Sequence, residues 1–196
     1  MDAVLTLLTP ADYVTTQWAG GTTTQLAIAP ADAAYAERSF LWRVSSATVE
    51  LEESAFTALP GYHRLISTVR GDMTLSHNDG AEVTLHPGDV HAFDGGDETR
   101  SRGRCTDFKL MLRKGAAEGD MRALRFGVGH GVFVTDARAD TVLLHCVSGR
   151  CAVRCGETVC NVSAGETLRV EHAREVTLTF DAAEDAAFMA AQMWTQ

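Results

Sequence analysis

Short apolar or alternating runs, separated by turn residues, dominate the chain. The run from Phe40 to Glu50 is rich in β-branched and aromatic residues and contains neither Gly nor Pro, as a strand requires. By the same criteria we predict further strands at residues 83–85, 108–112, 131–134, 141–144, 151–154 and 176–180. Many short strands with regularly spaced turns are typical of an all-β sandwich or barrel.

Helical signals are confined to two segments. Residues 30–37 are rich in Ala, and residues 181–193 begin with acidic side chains, which suit the positive end of a helix dipole. We therefore predict few short helices in a chain that is otherwise β.

A weak internal repeat divides the sequence. Residues 69–75 followed by 83–89 read V-x-G, strand, polar turn, strand and P-G-D, and residues 147–153 followed by 159–166 repeat the order, ending in A-G-E. Repeated sequence normally means repeated structure. Because the soft stretch 114–120 lies between the copies, we predict an N-terminal barrel over residues 1–115 and a C-terminal, degenerate barrel over 116–196, packed as one compact unit.

The V-x-G and P-G-D spacing resembles the two core motifs of the cupin fold, a small jelly-roll β-barrel, and two copies look like a bicupin. More specific motifs, at residues 18–26, 42–50, 56–64, 93–95 and 107–111, resemble those of the HutD/Ves family of bicupins in order and spacing. The resemblance is strong from Tyr13 to Gly115 and holds only at fold level in the second half. It implies two cupin-like jelly-roll barrels and a link to histidine breakdown, whose intermediates, such as urocanate and formiminoglutamate, are anionic.

The sequence departs from this family at two motifs. The family's opening W-K-N-G-G-G with a later T-x-E is here Trp18-Ala19-Gly20-Gly21 followed by Thr24-Gln25, so a lysine and a carboxylate are missing. The family's D-F-N-L-M begins here as Asp107-Phe108-Lys109, which introduces a charge.

The positions at which metal cupins carry their ligands hold residues that do not bind transition metals. Counting from the repeat glycines, these positions are Ala58, Pro60, Arg64 and Thr99 in the first copy and Val142 and Val176 in the second. Four histidines remain in the first half, and strand parity does not bring three of them to one point: His63, His77, His86 and His91. We expect His77 to be solvated in a polar hairpin, and we predict no metal and no other cofactor.

The five cysteines form neither a disulfide framework nor a paired C-x₂-C zinc site, although four lie between Cys146 and Cys160. We interpret them as buried thiols that act as small apolar side chains. A soft-metal site is the alternative.

Arginines, hydroxyls and aromatic rings remain as candidate chemistry in the first barrel. Arg64 falls where a metal cupin has an inward carboxylate, and Arg43 shares a strand face with Ser45. A guanidinium matches a carboxylate bidentately, and a buried one requires an acid. That acid is either a ligand or an internal group, and a static Arg43–Asp107 ion pair is the structural alternative. The predicted ligand-binding residues are Trp18, Thr24, Gln25, Arg43, Ser45, Phe56, Arg64, Phe93 and Asp107.

Charge and hydropathy restrict the partners. A net charge of −9 argues against a nucleic-acid surface, which needs clustered Lys and Arg. No apolar run approaches the length of a membrane span, and the N-terminus lacks the pattern of a signal peptide. We therefore expect a cytoplasmic protein whose partner is a small anionic metabolite, with no nucleic acid and no membrane, and which forms a homodimer.

Three functions are compatible with these observations. We favour a metal-free binding protein for a small carboxylate, regulatory or linked to histidine catabolism, over an enzyme. The first alternative is a metal-independent isomerase or lyase acting on a carboxylated or sugar substrate, for which His63 is the one weak catalytic candidate. The second is a protein-interaction module that docks through the second barrel.

Overall fold

The computed structural model describes residues 2–195. Within this range the chain consists of nineteen strands and two single-turn 3₁₀ helices, Pro10–Asp12 and Tyr35–Glu37, without any α-helix. The all-β prediction is confirmed. None of the helices in these residues is long and apolar enough to cross a membrane.

The chain divides into two compact units, and the first comprises Tyr13–Glu118. Its larger sheet has six strands in the order β2 (Val14–Trp18), β3 (Gly21–Ala29), β4 (Trp42–Val49), β11 (Cys105–Arg113), β6 (Tyr62–Arg70) and β9 (Val90–Asp94). Its smaller sheet has four, β5 (Glu53–Ala55), β10 (Thr99–Arg102), β7 (Met73–His77) and β8 (Val83–Leu85). Apolar side chains from both sheets, including Ile66, Leu75 and Phe93, pack together, so the two sheets form a sandwich around one core.

The second unit comprises the N-terminal segment up to Asp12 and the chain from Gly119 onward. Five strands form one sheet in the order β1 (Val4–Leu8), β17 (Thr167–Glu171), β14 (Thr141–Ser148), β19 (Ala186–Thr195) and β12 (Ala117–Phe126). Four strands form the other, β13 (Gly129–Val134), β18 (Thr177–Ala182), β15 (Arg150–Cys155) and β16 (Thr158–Ser163). The apolar core between these sheets is larger, with Leu144, Val153, Phe180 and Phe188 among its members.

The N-terminal segment up to Asp12 belongs to the second unit, and not to the N-terminal barrel over residues 1–115 in which the sequence places it. Val4 to Leu8 pair with β17, from Glu171 to Thr167, and so belong to the second unit. An apolar strand sequence specifies that a strand forms, but it does not specify which distant edge the strand joins.

The helix predicted over residues 181–193 is also wrong, because these residues complete β18 and form most of β19. Eight of the ten residues of β19 are buried, so the strand reads as a continuous apolar run without the alternation that would have identified it. Of the predicted helix 30–37, only Tyr35–Glu37 forms a 3₁₀ turn. The predicted strands all overlap observed ones, and the run from Phe40 to Glu50 contains β4.

The repeated glycine of the V-x-G motif is explained by the backbone. Gly71 and Gly149 have φ values of +74° and +73°, in the region that favours glycine. A Cβ at either position would also lie within 2.6 Å of a backbone carbonyl oxygen, that of Arg104 or Asp185. The motif therefore marks a tight turn between two strands that a neighbouring strand approaches closely.

The repeated acid of the P-G-D and A-G-E motifs also has a structural role. The Asp89 carboxylate accepts a hydrogen bond from the His86 backbone N–H at 2.9 Å, and the Glu166 carboxylate accepts one from the Ser163 N–H at 2.8 Å. Each acid thus closes a four-residue turn. The repeat encodes turns rather than ligands.

Substitution of Gly71 by Ala tests the close approach. We expect Gly71→Ala to lower the free energy of unfolding by about 2–3 kcal/mol, because strain in the left-handed region adds to the clash with the Arg104 carbonyl. Gly115 is a matched control, since its φ is +72° and no atom would lie within 4 Å of its Cβ. Urea unfolding should show a clearly smaller loss for Gly115→Ala, and equal losses would refute the packing explanation.

His145 makes the second unit sensitive to acid. Burial lowers the pKa of His145 to about 4, and its Nδ1 is 3.0 Å from the Thr167 hydroxyl. The unfolded chain takes up the proton at the ordinary pKa of 6.5, so the free energy of unfolding should fall as pH drops from 6.5 towards 4. We expect a loss of about 2 kcal/mol, allowing for partial exposure of the ring.

Unfolding followed across this pH range measures the effect. His145→Gln should reduce the slope of the pH profile, to which His77 and His91 also contribute, whereas His130→Gln, at a side chain that is 84% exposed, should leave it unchanged. The same slope in His145→Gln as in the unaltered chain would show that other groups cause it.

Candidate functional site

A cavity of about 310 Å³ lies in the first unit. Strands of the larger sheet supply most of its polar wall, and the segment after β5 supplies an aromatic side chain. The lining includes Thr16, Trp18, Thr23, Tyr35, Arg43, Phe56, Thr57, Arg64, Asp107, Lys109 and Met111.

Arg43 lies on β4 and is only 6% exposed. Its Nε donates to the Gln25 side-chain oxygen at 2.7 Å, one terminal nitrogen donates to the Ser45 hydroxyl at 3.3 Å, and its guanidinium lies 4.3 Å from the centre of the Tyr35 ring. All of these partners are neutral. Burial lowers the pKa of Arg43, as expected for a desolvated cation, and the charge of Arg38 lowers it further.

Arg64 lies on β6 and is equally buried, at 6% exposure. One terminal nitrogen donates to the Thr57 carbonyl at 3.1 Å, while its buried Nε has no hydrogen-bond partner among the described residues. Its guanidinium lies 5.0 Å from the centre of the Phe56 ring and 5.2 Å from that of Phe93. Burial lowers the pKa of Arg64, while the Tyr35 and Asp107 side chains oppose this change by smaller amounts. This guanidinium makes no ion pair with a carboxylate in the part of the chain that the structure describes.

The carboxylate of Asp107 is bound to other groups. One oxygen accepts a hydrogen bond from the Ala47 backbone N–H at 2.9 Å. The other forms an ion pair with Lys109 Nζ at 3.0 Å, although the angle of this contact is not that of a hydrogen bond. In the register of β4 and β11, Asp107 lies opposite Ala47, whereas Arg43 lies opposite Met111. The static Arg43–Asp107 ion pair is therefore not formed.

The charges of the lining do not balance. Three cationic side chains, Arg43, Arg64 and Lys109, contribute to the cavity wall, but Asp107 is the one acid among the described lining residues. Since Asp107 is paired with Lys109, neither guanidinium has an ion-pair partner among the described residues, and the Asp107 charge acts on Arg64 only from a distance.

Most of the predicted ligand-binding residues come together around these arginines. Trp18 and Phe56 line the cavity, Ser45 and Gln25 bind Arg43, and Phe93 packs beneath Arg64. Whether they bind a ligand stays a prediction.

Thr24 and His63 lie elsewhere. The Thr24 hydroxyl hydrogen-bonds that of Thr15 at 2.9 Å, and it is the preceding Thr23 that lines the cavity. His63 is exposed, because side chains alternate along β6 and the neighbouring Arg64 points inward. Neither Thr24, predicted to bind the ligand, nor His63, the catalytic candidate, is part of the described lining of the cavity.

Two lining residues were missed by the sequence analysis. Lys109 was noted only as a departure from the family motif, although alternation from Asp107 would have placed it on the same face of β11. Tyr35 comes from the 3₁₀ turn that connects β3 and β4, and no periodicity indicates where such a turn directs its side chain.

His77 and His91 form a pair, and the prediction that His77 is solvated is wrong. Their Nε2 atoms are 2.9 Å apart and their rings stack at 5.1 Å. Both side chains point inward because His77 follows the buried Met73 and Leu75 along β7, and His91 shares a face of β9 with Phe93. Among residues 2–195, no three His, Cys, Asp or Glu side chains are placed to hold a metal ion.

The cysteines are free thiols. Cys105, Cys146 and Cys151 are buried, and the other two are partly buried against the core of the second unit. Burial raises the pKa of Cys105 to about 11 and that of Cys146 to about 12, so both thiols stay protonated. They act as small apolar side chains.

A family model that covers most of the chain identifies its family. The HutD family model matches residues 10–188. The chain belongs to the HutD family. A comparison with curated proteins gives no match.

Solved structures share the fold of this HutD-family chain. A conserved protein of unknown function from Pseudomonas aeruginosa is 26% identical, with a TM-score of 0.84 over 97% of this chain and 99% of that one. HutD from Pseudomonas fluorescens is 22% identical, with a TM-score of 0.76 over 98% and 100%. The bacterial pirin YhhW from Escherichia coli, in complex with nickel(II), is 10% identical, with a TM-score of 0.67 over 96% and 98%. The cupin-like jelly-roll fold is confirmed.

The second jelly roll of the HutD-family chain has no counterpart of the polar wall. The strand pair β11 and β6 of the first unit and the strand pair β19 and β14 of the second each contain a bulge near one end. When the two bulges are aligned, Asp107, which lies opposite Thr68, corresponds to Phe188, which lies opposite Cys146. In this register Lys109 corresponds to Ala190, and Arg64 corresponds to Val142. Phe188, Ala190 and Val142 all belong to the apolar core, so side chains fill the interior that is a cavity in the first unit.

Replacement of Lys109 tests the ion pair. We expect Lys109→Met to lower the free energy of unfolding by about 3 kcal/mol, because it leaves a buried carboxylate unpaired. The double variant Asp107→Asn/Lys109→Met should recover at least about 1 kcal/mol of that loss, since no charge is then stranded. Urea unfolding of the unaltered chain, of Lys109→Met, of Asp107→Asn and of the double variant measures this, and additive losses would show that the pair is not coupled.

Proposed function

We propose that this HutD-family chain binds a small metabolite carrying a carboxylate in the cavity of the first unit, and that it senses or sequesters this metabolite. The observation that carries the proposal is the pair of buried guanidiniums, Arg43 and Arg64, for which the described residues supply no acid. The one acid in the described lining, Asp107, is paired with Lys109.

The energetics favour an anionic ligand. Removing a guanidinium from water costs several kcal/mol unless a counter-ion and hydrogen bonds replace the water. A ligand carboxylate would supply both, since it accepts two parallel N–H bonds from one guanidinium. The aromatic rings of Trp18, Tyr35 and Phe56 give the same cavity an apolar wall, as is common in small-molecule sites.

Binding is better supported than catalysis. Proton transfer would need a titrating group in the cavity, but His63 is exposed outside the lining and Asp107 is ion-paired. The filled interior of the second unit favours the first unit as the place of binding.

The family provides the first ligands to test. Intermediates of histidine breakdown are small anions, and urocanate and formiminoglutamate carry the carboxylate that the proposal requires. HutD from Pseudomonas fluorescens was studied in a formate condition, which makes formate, the smallest carboxylate, a natural third probe. A metabolite sensor of this kind would work in the cytoplasm.

A thermal-shift screen with these carboxylates tests the proposal. A ligand at a hundredfold excess over its Kd stabilises the folded chain by about 2.7 kcal/mol, and Arg64→Ala should abolish that shift because its guanidinium is lost. Arg70→Ala, at an exposed arginine at the end of the same strand, should retain the shift. An undiminished shift in Arg64→Ala would show that carboxylates bind elsewhere.

A further inference from the structure

The pair formed by His77 and His91 holds one proton between its two Nε2 atoms. At 2.9 Å a hydrogen bond requires one N–H and one bare nitrogen, because two N–H groups would clash and two lone pairs would repel. The pair therefore has one donor and one acceptor, and the neighbouring groups decide which ring is which.

Thr99 fixes the arrangement. Its hydroxyl donates to the Asp97 carbonyl at 3.3 Å, so towards His77 Nδ1, at 2.9 Å, it acts as the acceptor. His77 therefore carries its proton on Nδ1 and has a bare Nε2, which accepts the Nε2–H of His91. In this state both rings are neutral, and His91 Nδ1 has no hydrogen-bond partner among the described residues.

One further proton can enter without breaking a contact. Protonation of His91 Nδ1 gives an imidazolium that still donates to His77 Nε2 and strengthens that bond. A second proton would force two N–H groups together, so the pair titrates as a one-proton unit.

The pair lies next to the anion-binding arginine. The His77 ring is 4.7 Å from the centre of Phe93, and the Arg64 guanidinium is 5.2 Å from the same centre. The charge of Arg64 lowers the pKa of His77, in addition to the larger effects of burial and of His91, whereas Asp97 raises it. Burial lowers the pKa of His91.

Other charges on the adjacent strands face away from the pair. On β10, Arg100 and Arg102 are exposed on the side opposite to Thr99, and on β6 His63 and Arg70 are exposed. The strand β8 carries no charged side chain. Arg64 and Asp97 are thus the charged groups that act on the pair.

We propose that an anion bound at Arg64 is accompanied by partial uptake of one proton at the His77–His91 pair, so that the anion binds more tightly as pH falls. This inference rests on the proposed function. The sign follows from linkage, because an anion that neutralises Arg64 removes the part of the opposition to protonation that comes from its charge. For charges separated by one aromatic ring near a protein surface, the expected gain in affinity is about three- to tenfold, equivalent to about 0.3–0.5 proton per anion at the midpoint.

The test is an NMR titration of the two imidazole rings between pH 4 and 8, with 100 mM formate or with 100 mM chloride. Formate is a suitable probe since it stays ionised over most of this range. We expect the titration midpoint of the pair to rise in formate by about 0.5–1 pH unit. Arg64→Gln should remove the difference, and His63→Gln, which alters an exposed histidine of the same unit, should leave it intact.

A second variant separates the pair from the anion site. The double variant His77→Gln/His91→Gln, which lacks both titrating rings, should still bind the carboxylates of the thermal-shift screen, but their affinity should no longer increase at low pH. If formate binds in an Arg64-dependent manner and the midpoint of the pair does not move, the linkage is refuted while the proposed function stands. If neither formate nor any screened carboxylate gives an Arg64-dependent change, both proposals are overturned.

Discussion

The ion pair between Asp107 and Lys109 sets the electrostatics of the first unit. Its carboxylate is fixed on one side by the Ala47 backbone N–H and on the other by the lysine of the same strand face. An acid held in this way cannot also neutralise Arg43, which lies opposite Met111 in the sheet. The two buried guanidiniums thus carry a desolvation cost that neutral hydrogen bonds and aromatic faces offset only in part.

The two jelly rolls show how one framework supports opposite interiors. They share the order of four strands in each sheet, the turn glycines and the bulge, which are backbone constraints. The inward side chains are free of these constraints. Phe188 and Ala190 complete a closed apolar core in one unit, whereas Asp107 and Lys109 occupy the matching positions beside a cavity in the other. A polar interior in the first unit therefore requires an explanation other than folding.

Local patterns predicted what depends on local geometry. Alternation along β4 placed Arg43 on one face with Ser45, the ligand position of metal cupins indicated that Arg64 points inward, and the turn motifs located both jelly rolls. Long-range pairing was not accessible: nothing in Val4–Leu8 specifies β17 as its partner, and burial of both faces hides the strand nature of β19. Thr24 was predicted to line the cavity, but its neighbour Thr23 does so, because a shift of one residue along a strand moves the side chain to the opposite face of the sheet. The contact of His77 with His91 depends on the packing of two sheets and has no local signature.

The central claim is that Arg43 and Arg64 together bind a carboxylate. Its most direct test is ¹⁵N NMR of the arginine Nε–H groups during a carboxylate titration at constant ionic strength. Nε of Arg64 has no hydrogen-bond partner within residues 2–195, and Nε of Arg43 binds a neutral amide, so a bound carboxylate should change both environments. We expect the Nε–H signals of Arg43 and Arg64 to shift saturably with one common Kd, and the signal of the exposed Arg70 not to shift in this way. Unsaturable shifts of equal size at all three arginines would contradict it.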